Sequence, residues 1–177
     1  MSYYDDIYEI AVDNYYLIST EDATEAGIPP VELAKLAHRG KLENISRGLY
    51  RLTRYVPSDY DPYAIAVARL GSRAYLYGES VIGMLDLAPT DPSRIFVATP
   101  ARTRRKLSPG IRVKKPGKKD VVTRYEGIPS QNVATAIRAA RQTMMDERLL
   151  AAAKEAKAKG YLTTQEYEEL KREMEWR

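Results

Sequence analysis

Apolar positions recur at helical spacing in several blocks of the chain, and Gly and Pro mark where each block stops. Over residues 5–16, Ile7, Ile10, Ala11, Val12 and Tyr15 predict a helix with one buried side. The stretch from 18 to 52 holds two short helical patterns broken by Gly27-Ile28-Pro29-Pro30, then two short strands separated by Arg47-Gly48. Thr20 is placed to cap the first of these helices, Glu21 and Asp22 lie in the turn where negative charge suits the helix dipole, and Gly27 ends it. Pro29 and Pro30 fit only the opening turn of the second helix. Its apolar stripe is Val31, Leu33, Leu36 and Ala37, its opposite face carries Glu32, Lys35 and Arg39, and Gly40 stops it. Lys41 to Leu52 reads as a hairpin, with apolar contacts from Leu42, Ile45, Leu49 and Tyr50 and a positive φ allowed by Gly48. Helix, helix and hairpin in this order form the pattern of a winged helix-turn-helix, whose second helix reads a DNA groove.

Tyr55 to Pro62 is rich in turn formers, so a domain boundary is expected near residue 57, with a DNA-binding domain over 1–57 and a second domain over 58–177. Asp61-Pro62 opens a helix with the stripe Ile65, Val67, Ala68 and Leu70, AYLY is strand-like, and SVIGMLDL reads as a helix capped by Ser80. Strands are expected over 94–98, 111–114 and 121–125. Ser130 is expected to cap a long helix reaching about residue 145, with Val133, Ile137, Ala140 and Met144 on one face. Leu149, Leu150 and Ala153 mark a further helix ended by Gly160, and Thr163 with Glu166 makes the capping box of the last. The expected fold class is α+β: an N-terminal winged helix-turn-helix, then a mixed domain with a small sheet, several helices and a closing helical hairpin.

Charge sharpens this picture. Residues 1–37 hold eight acidic and one basic side chain, 38–119 hold six and 17, and 120–177 hold ten of each, so net charges of −7, +11 and 0 add to the chain's +4. Helix-turn-helix units also dimerise or dock proteins, but a basic field beginning at His38 and Arg39 suits phosphate neutralisation. The positions expected to meet double-stranded DNA are Glu32 and Lys35 at base edges, together with His38, Arg39, Lys41, Arg47 and Arg51. A second basic strip, residues 101–119, holds Arg102, Arg104, Arg105, Lys106, Arg112, Lys114, Lys115, Lys118 and Lys119 and no acid. Such density repels itself unless a polyanion or acidic surface neutralises it, which makes the strip a candidate for nucleic acid or a toxin-related role, a solvated loop being the alternative. No aromatic residue interleaves with it, so sequence-specific single-strand recognition has no support.

Over HRGKLENISRGLYRL the chain resembles the N-terminal winged-helix domain of AbiEi-type antitoxins of type IV toxin–antitoxin systems, through His38, Arg39, Gly40, Leu42, Arg47, Gly48 and Tyr50. TRYEGIPSQNVATAIRAA resembles a second passage of that family at Gly127, Ile128 and Pro129 and diverges afterwards. The resemblance implies an antitoxin and transcriptional autorepressor that binds repeats in its own promoter DNA and counters a nucleotidyltransferase-type toxin. Two alternatives stay open: a stand-alone sequence-specific regulator with a dimerisation or effector domain, and an RNA-binding accessory protein using the 101–119 strip.

With no Cys and His38 as the single histidine, disulfides, zinc fingers and His- or Cys-based nucleophiles are excluded. Leu70-Gly71-Ser72 followed by Asp86 imitates part of a nucleotidyltransferase pattern, but position 88 is Ala where a two-metal site needs a second carboxylate. Glu155 and Lys157 have a nuclease-like spacing, yet they fall on a predicted helix, where such neighbours diverge. No phosphate-binding glycine loop of Walker or dinucleotide type is present. The expectation is a protein that is no enzyme and uses no cofactor and no metal. No apolar run reaches spanning length and the acidic start lacks a signal-peptide core, so a cytoplasmic protein with no membrane partner is expected. Fourteen Tyr against one Phe and one Trp fit packing at core edges, ring buried and hydroxyl wet.

Overall fold

A computed structural model describes residues 2–103 and 107–176 and divides the chain into two compact units, Met1–Arg69 and Leu70–Arg177. The first contains α1 (Tyr3–Val12), β1 (Leu17–Ser19), α2 (Thr20–Glu25), α3 (Val31–His38), β2 (Leu42–Ser46), β3 (Leu49–Leu52) and α4 (Asp61–Arg69). Its sheet has the order β1-β3-β2, antiparallel throughout. Ile7 and Ala11 of α1, Ile18 of β1, Ala23 of α2, Leu33 and Leu36 of α3, and Leu42 and Leu52 of the hairpin close over one core. Each fully buried Leu or Ile contributes about 1.5–3 kcal/mol relative to exposure, which is how helices this short are held in place.

Three local expectations for this unit need correction. The first helix stops at Val12, because Tyr15 and Tyr16 adopt positive φ (56° and 62°) and turn the chain into β1. The cap of α2 is Ser19, not Thr20: its hydroxyl accepts the Asp22 N–H at 3.0 Å while the Asp22 carboxylate accepts the Ser19 N–H at 2.9 Å. Val31 is not part of the apolar stripe, since it lies in the opening turn of α3 and is 56% exposed. Gly27 and Gly40 do end their helices, at φ 75° and 77°. Helix α4 packs with β1 and stays with the first unit, so the unit boundary falls later than residue 57.

The second unit contains β4 (Tyr75–Leu76), α5 (Glu79–Met84), β5 (Ile95–Ala98), β6 (Ile111–Lys114), β7 (Val122–Tyr125), β8 (Ile128–Gln131), α6 (Val133–Ala140), α7 (Asp146–Lys159) and α8 (Thr164–Glu173). The strands form one mixed sheet, β6-β5-β4-β8-β7, with β5–β6 and β4–β8 parallel and the other pairs antiparallel. Glu126 and Gly127, at φ 52° and 76°, make the two-residue turn of the β7–β8 hairpin, the geometry that matches strand twist. Helix α6 packs on α5, α7 and α8 through Val133, Ile137 and Ala140, and Leu149, Ala153 and Leu170 are fully buried.

Ser80 does not cap a helix. It lies within α5, and its hydroxyl accepts the Phe96 N–H at 2.7 Å, tying the helix to β5. Ser130 lies in β8 rather than at a helix start, and Asn132 caps α6 by accepting the Thr135 N–H at 2.9 Å. Helix α6 ends at Ala140 instead of near 145, because the N–H groups of Thr143 and Met144 both turn back onto the Ala140 carbonyl. Gly160 and the Thr163–Glu166 capping box occur where expected.

Candidate nucleic-acid interface

Leu33 and Leu36 pull one side of α3 into the core and leave Val31, Ala34, Lys35, His38 and Arg39 on the outer side. The wing stands beside it. Its turn carries Arg47 and Gly48, and the Gly48 carbonyl accepts the Thr20 N–H at 2.9 Å, which anchors the wing tip to the start of α2. A Cβ on Gly48 would come within 3.2 Å of Thr20 Oγ1 on a backbone already at φ 74°, so this tight approach needs glycine. At the other end of the hairpin, Thr53 Oγ1 donates to the Gly40 and Lys41 carbonyls at 2.9 and 3.1 Å, binding the wing base to the end of α3.

The expected DNA-contacting side chains fall into two groups. Lys35, His38, Arg39 and Arg47 are exposed. Lys35 meets Glu32 at 3.2 Å across the helix surface, an exposed pair worth at most about 1 kcal/mol that a base edge or phosphate can displace. Lys41 is exposed as well, and Arg51 is more committed. Arg51 lies over the Tyr55 ring at 4.0 Å, reaches Glu43 at 3.3 Å and is only 15% exposed, while the Lys41 ammonium sits 5.8 Å from the Tyr4 ring. Sequence reasoning passed over two residues. Val31 stands outward one turn before Lys35 and can offer an apolar contact to a thymine methyl. Arg54 follows Thr53 and is carried by its bonds to the Gly40–Lys41 junction, beside Arg39 and Lys41; continuing the strand register past Leu52 would have exposed that proximity.

In the second unit, Arg102 is exposed and Arg112 lies on β6, the outer strand of the sheet, where its Nη1 donates to the Pro109 carbonyl at 2.6 Å. Lys114 is 4.2 Å from the Tyr77 ring. Lys115, Lys118 and Lys119 are exposed in the following turn. Asp120 closes that turn by accepting the Gly117 N–H at 3.0 Å and the Tyr75 hydroxyl at 2.5 Å. Burial pushes the Asp120 carboxyl up, but the hydrogen bonds from Tyr75 and Gly117 and the charge of Lys114 outweigh it and hold the carboxyl below its ordinary value. Burial and Asp120 together hold the Tyr75 phenol well above its ordinary value. Arg104, Arg105 and Lys106 lie outside the described residues.

A helix-turn-helix with an outward second helix and an anchored antiparallel wing defines the first unit as a winged helix-turn-helix, the class that reads DNA grooves. Residues 5–53 match a family model described as transcriptional regulator, AbiEi antitoxin. The resemblance read at His38 to Tyr50 therefore extends over nearly all of the first unit ahead of α4, and this unit is similar to those of antitoxin-type transcriptional regulators. No curated protein matches the chain. No helix among the described residues is long and apolar enough to cross a membrane, and no cluster of side chains among them could hold a metal ion.

Proposed function

We propose that the protein is a non-enzymatic antitoxin and transcriptional autorepressor, cytoplasmic, whose first unit binds repeats in its own promoter and whose second unit counters a nucleotidyltransferase-type toxin. The observation that carries this reading is the AbiEi match over residues 5–53, which coincides with an exposed α3 and an anchored wing. Glu32 and Lys35 address base edges, and His38, Arg39, Lys41, Arg47 and Arg51 surround them with positive charge. The labour divides between the units. A fragment of residues 1–69, which keeps α4 with its sheet, is expected to shift promoter DNA in a gel, and full-length protein to rescue cells that express the neighbouring toxin gene. Rescue without any promoter shift would remove the autorepressor half of the proposal, and a shift without rescue would remove the antitoxin half.

The match lies within the first unit, which also favours a second reading, a stand-alone regulator whose second unit senses an effector. The RNA-binding reading rests on the strip alone. Neutralising Lys115, Lys118 and Lys119 together separates these roles: loss of rescue with repression intact assigns the strip to antitoxicity, and loss of repression alone assigns it to DNA.

A further inference from the structure

A cleft of about 640 Å³ opens on the second unit between the turn before β4 and the outer strand β7. Arg124 pairs opposite Pro129, and the parallel pairing of Leu76 with Ser130 sets Tyr75 beside Pro129. Residues at one cross-strand level share a face of a sheet, so Tyr75, Pro129 and Arg124 stand together, and Val122, two residues before Arg124, joins them. The floor of the cleft is thus apolar, Pro129 and Val122 with the mostly buried Tyr75 at the same level. Its rim is polar: Arg124 and Thr123 on β7, Ser72 and Arg73 on the opposing turn, where Gly71 at φ +106° reverses the chain.

The charge of this cleft is one-sided. Among the described residues, two guanidinium groups line it and no carboxylate does. The Asp120 carboxylate that meets Tyr75 is already occupied by the Tyr75 hydroxyl and the Gly117 N–H. Arg124 Nη1 donates to the Gly127 carbonyl at 3.1 Å, which orients its guanidinium along the hairpin, and Arg73 makes no ion pair among the described residues. Guanidinium forks match phosphate geometry, and the volume is within the usual range of small-molecule sites, about 300–1,000 Å³.

We propose that this cleft binds a phosphate monoester of nucleotide size, the phosphoryl group held between Arg73 and Arg124 and the ring system resting against Pro129 and Val122. An apolar floor next to a cationic rim favours a ligand with both parts over a bare anion, whose binding would leave the floor unused. The site lies within the second unit and does not depend on the promoter-binding reading.

Isothermal titration of the full chain with AMP, GMP and inorganic phosphate tests it. The expected result is one nucleotide per chain, bound at least about tenfold more tightly than inorganic phosphate, a difference of about 1.4 kcal/mol. Arg73→Ala, at an exposed residue with no ion pair among the described residues, is expected to weaken nucleotide binding by about tenfold or more, a loss of the size expected for one charge-assisted contact, while Arg148→Ala on α7 leaves it unchanged. Arg124→Gln is expected to act like Arg73→Ala, with circular dichroism checking that the hairpin stays folded. Equal binding by Arg73→Ala, equal affinity for inorganic phosphate, or no heat with either nucleotide at millimolar concentration would overturn the proposal, and promoter shifts by Arg73→Ala at wild-type strength would leave the DNA reading untouched.

Discussion

The wing and the 101–119 strip are both basic, but their charges are presented differently. In the first unit, Lys35, His38 and Arg47 project from a helix and a hairpin whose inner sides are fixed by Ile18, Leu33 and Leu52, each at 0% exposure. In the second, Arg112 and Lys114 stand on an outer strand and turn onto a backbone carbonyl and a tyrosine ring. The same sorting divides the first unit internally, where Arg51 lies over the Tyr55 ring and is 15% exposed while Arg39 is exposed at the end of α3. Net charge counts these groups alike. Direct contact with phosphate depends on what each cation already touches, so the +11 of residues 38–119 does not by itself say which of these groups a phosphate would meet.

If the rigidity of the first unit is what distinguishes it, removing an anchor of α3 should have the greatest consequence. Leu33→Ala is expected to cost about 2–5 kcal/mol, visible as a lower unfolding midpoint together with loss of the promoter shift. An unchanged midpoint would mean that α3 is held by something else.

Charge reversal at the wing tip comes next. Arg47→Glu is expected to weaken promoter binding by about tenfold to a hundredfold and to reduce the salt slope by about one to two units, with the unit still folded. Arg112→Glu should do much less, and an equal loss from both would erase the distinction between wing and strip.

On α3 the expected change is in discrimination. Lys35→Ala should lose about 1–3 kcal/mol of preference among operator variants, more than the surface pair with Glu32 can account for, as read by competition shifts. Uniform weakening on all sequences would make Lys35 a phosphate ligand.

The smallest effect belongs to the strip's own scaffold. Folding lowers the Asp120 pKa, so its tie to Tyr75 and Gly117 stabilises the second unit above the ordinary carboxylate value of about 4 and is lost as pH falls through the folded value. Asp120→Asn should therefore flatten the acid limb of the unfolding midpoint. An identical acid limb in the variant would show that other carboxylates set it.

Much of the first unit was legible because its signals are local. Gly27, Gly40 and Gly48 each stand where the backbone has positive φ, and the apolar spacing of Leu33 and Leu36 marks the buried side of α3. Strand β1 was not, since Leu17–Ser19 has no alternation of its own and becomes a strand only by pairing with β3 more than thirty residues later, Leu17 opposite Arg51. Strand β8 was hidden for a related reason. Pro129 argues against a central strand, and Ser130 and Gln131 are polar, yet all three lie between β4 and β7; Ser130 and Gln131 are buried there, the Gln131 side chain accepting the Gly78 N–H at 2.9 Å.

The candidate sites divide along the same line. The sequence by itself determined the α+β class, the helix-turn-helix and wing, and the region where positive charge collects, because periodicity, capping chemistry and composition act over a few residues. Only the tertiary structure decided which cations remain exposed, set Arg54 beside the end of α3, and opposed Arg73 to Arg124 across a cleft. Those relations join residues far apart in the chain, and the register of a sheet that brings them together is fixed by packing over the whole unit rather than by any one segment.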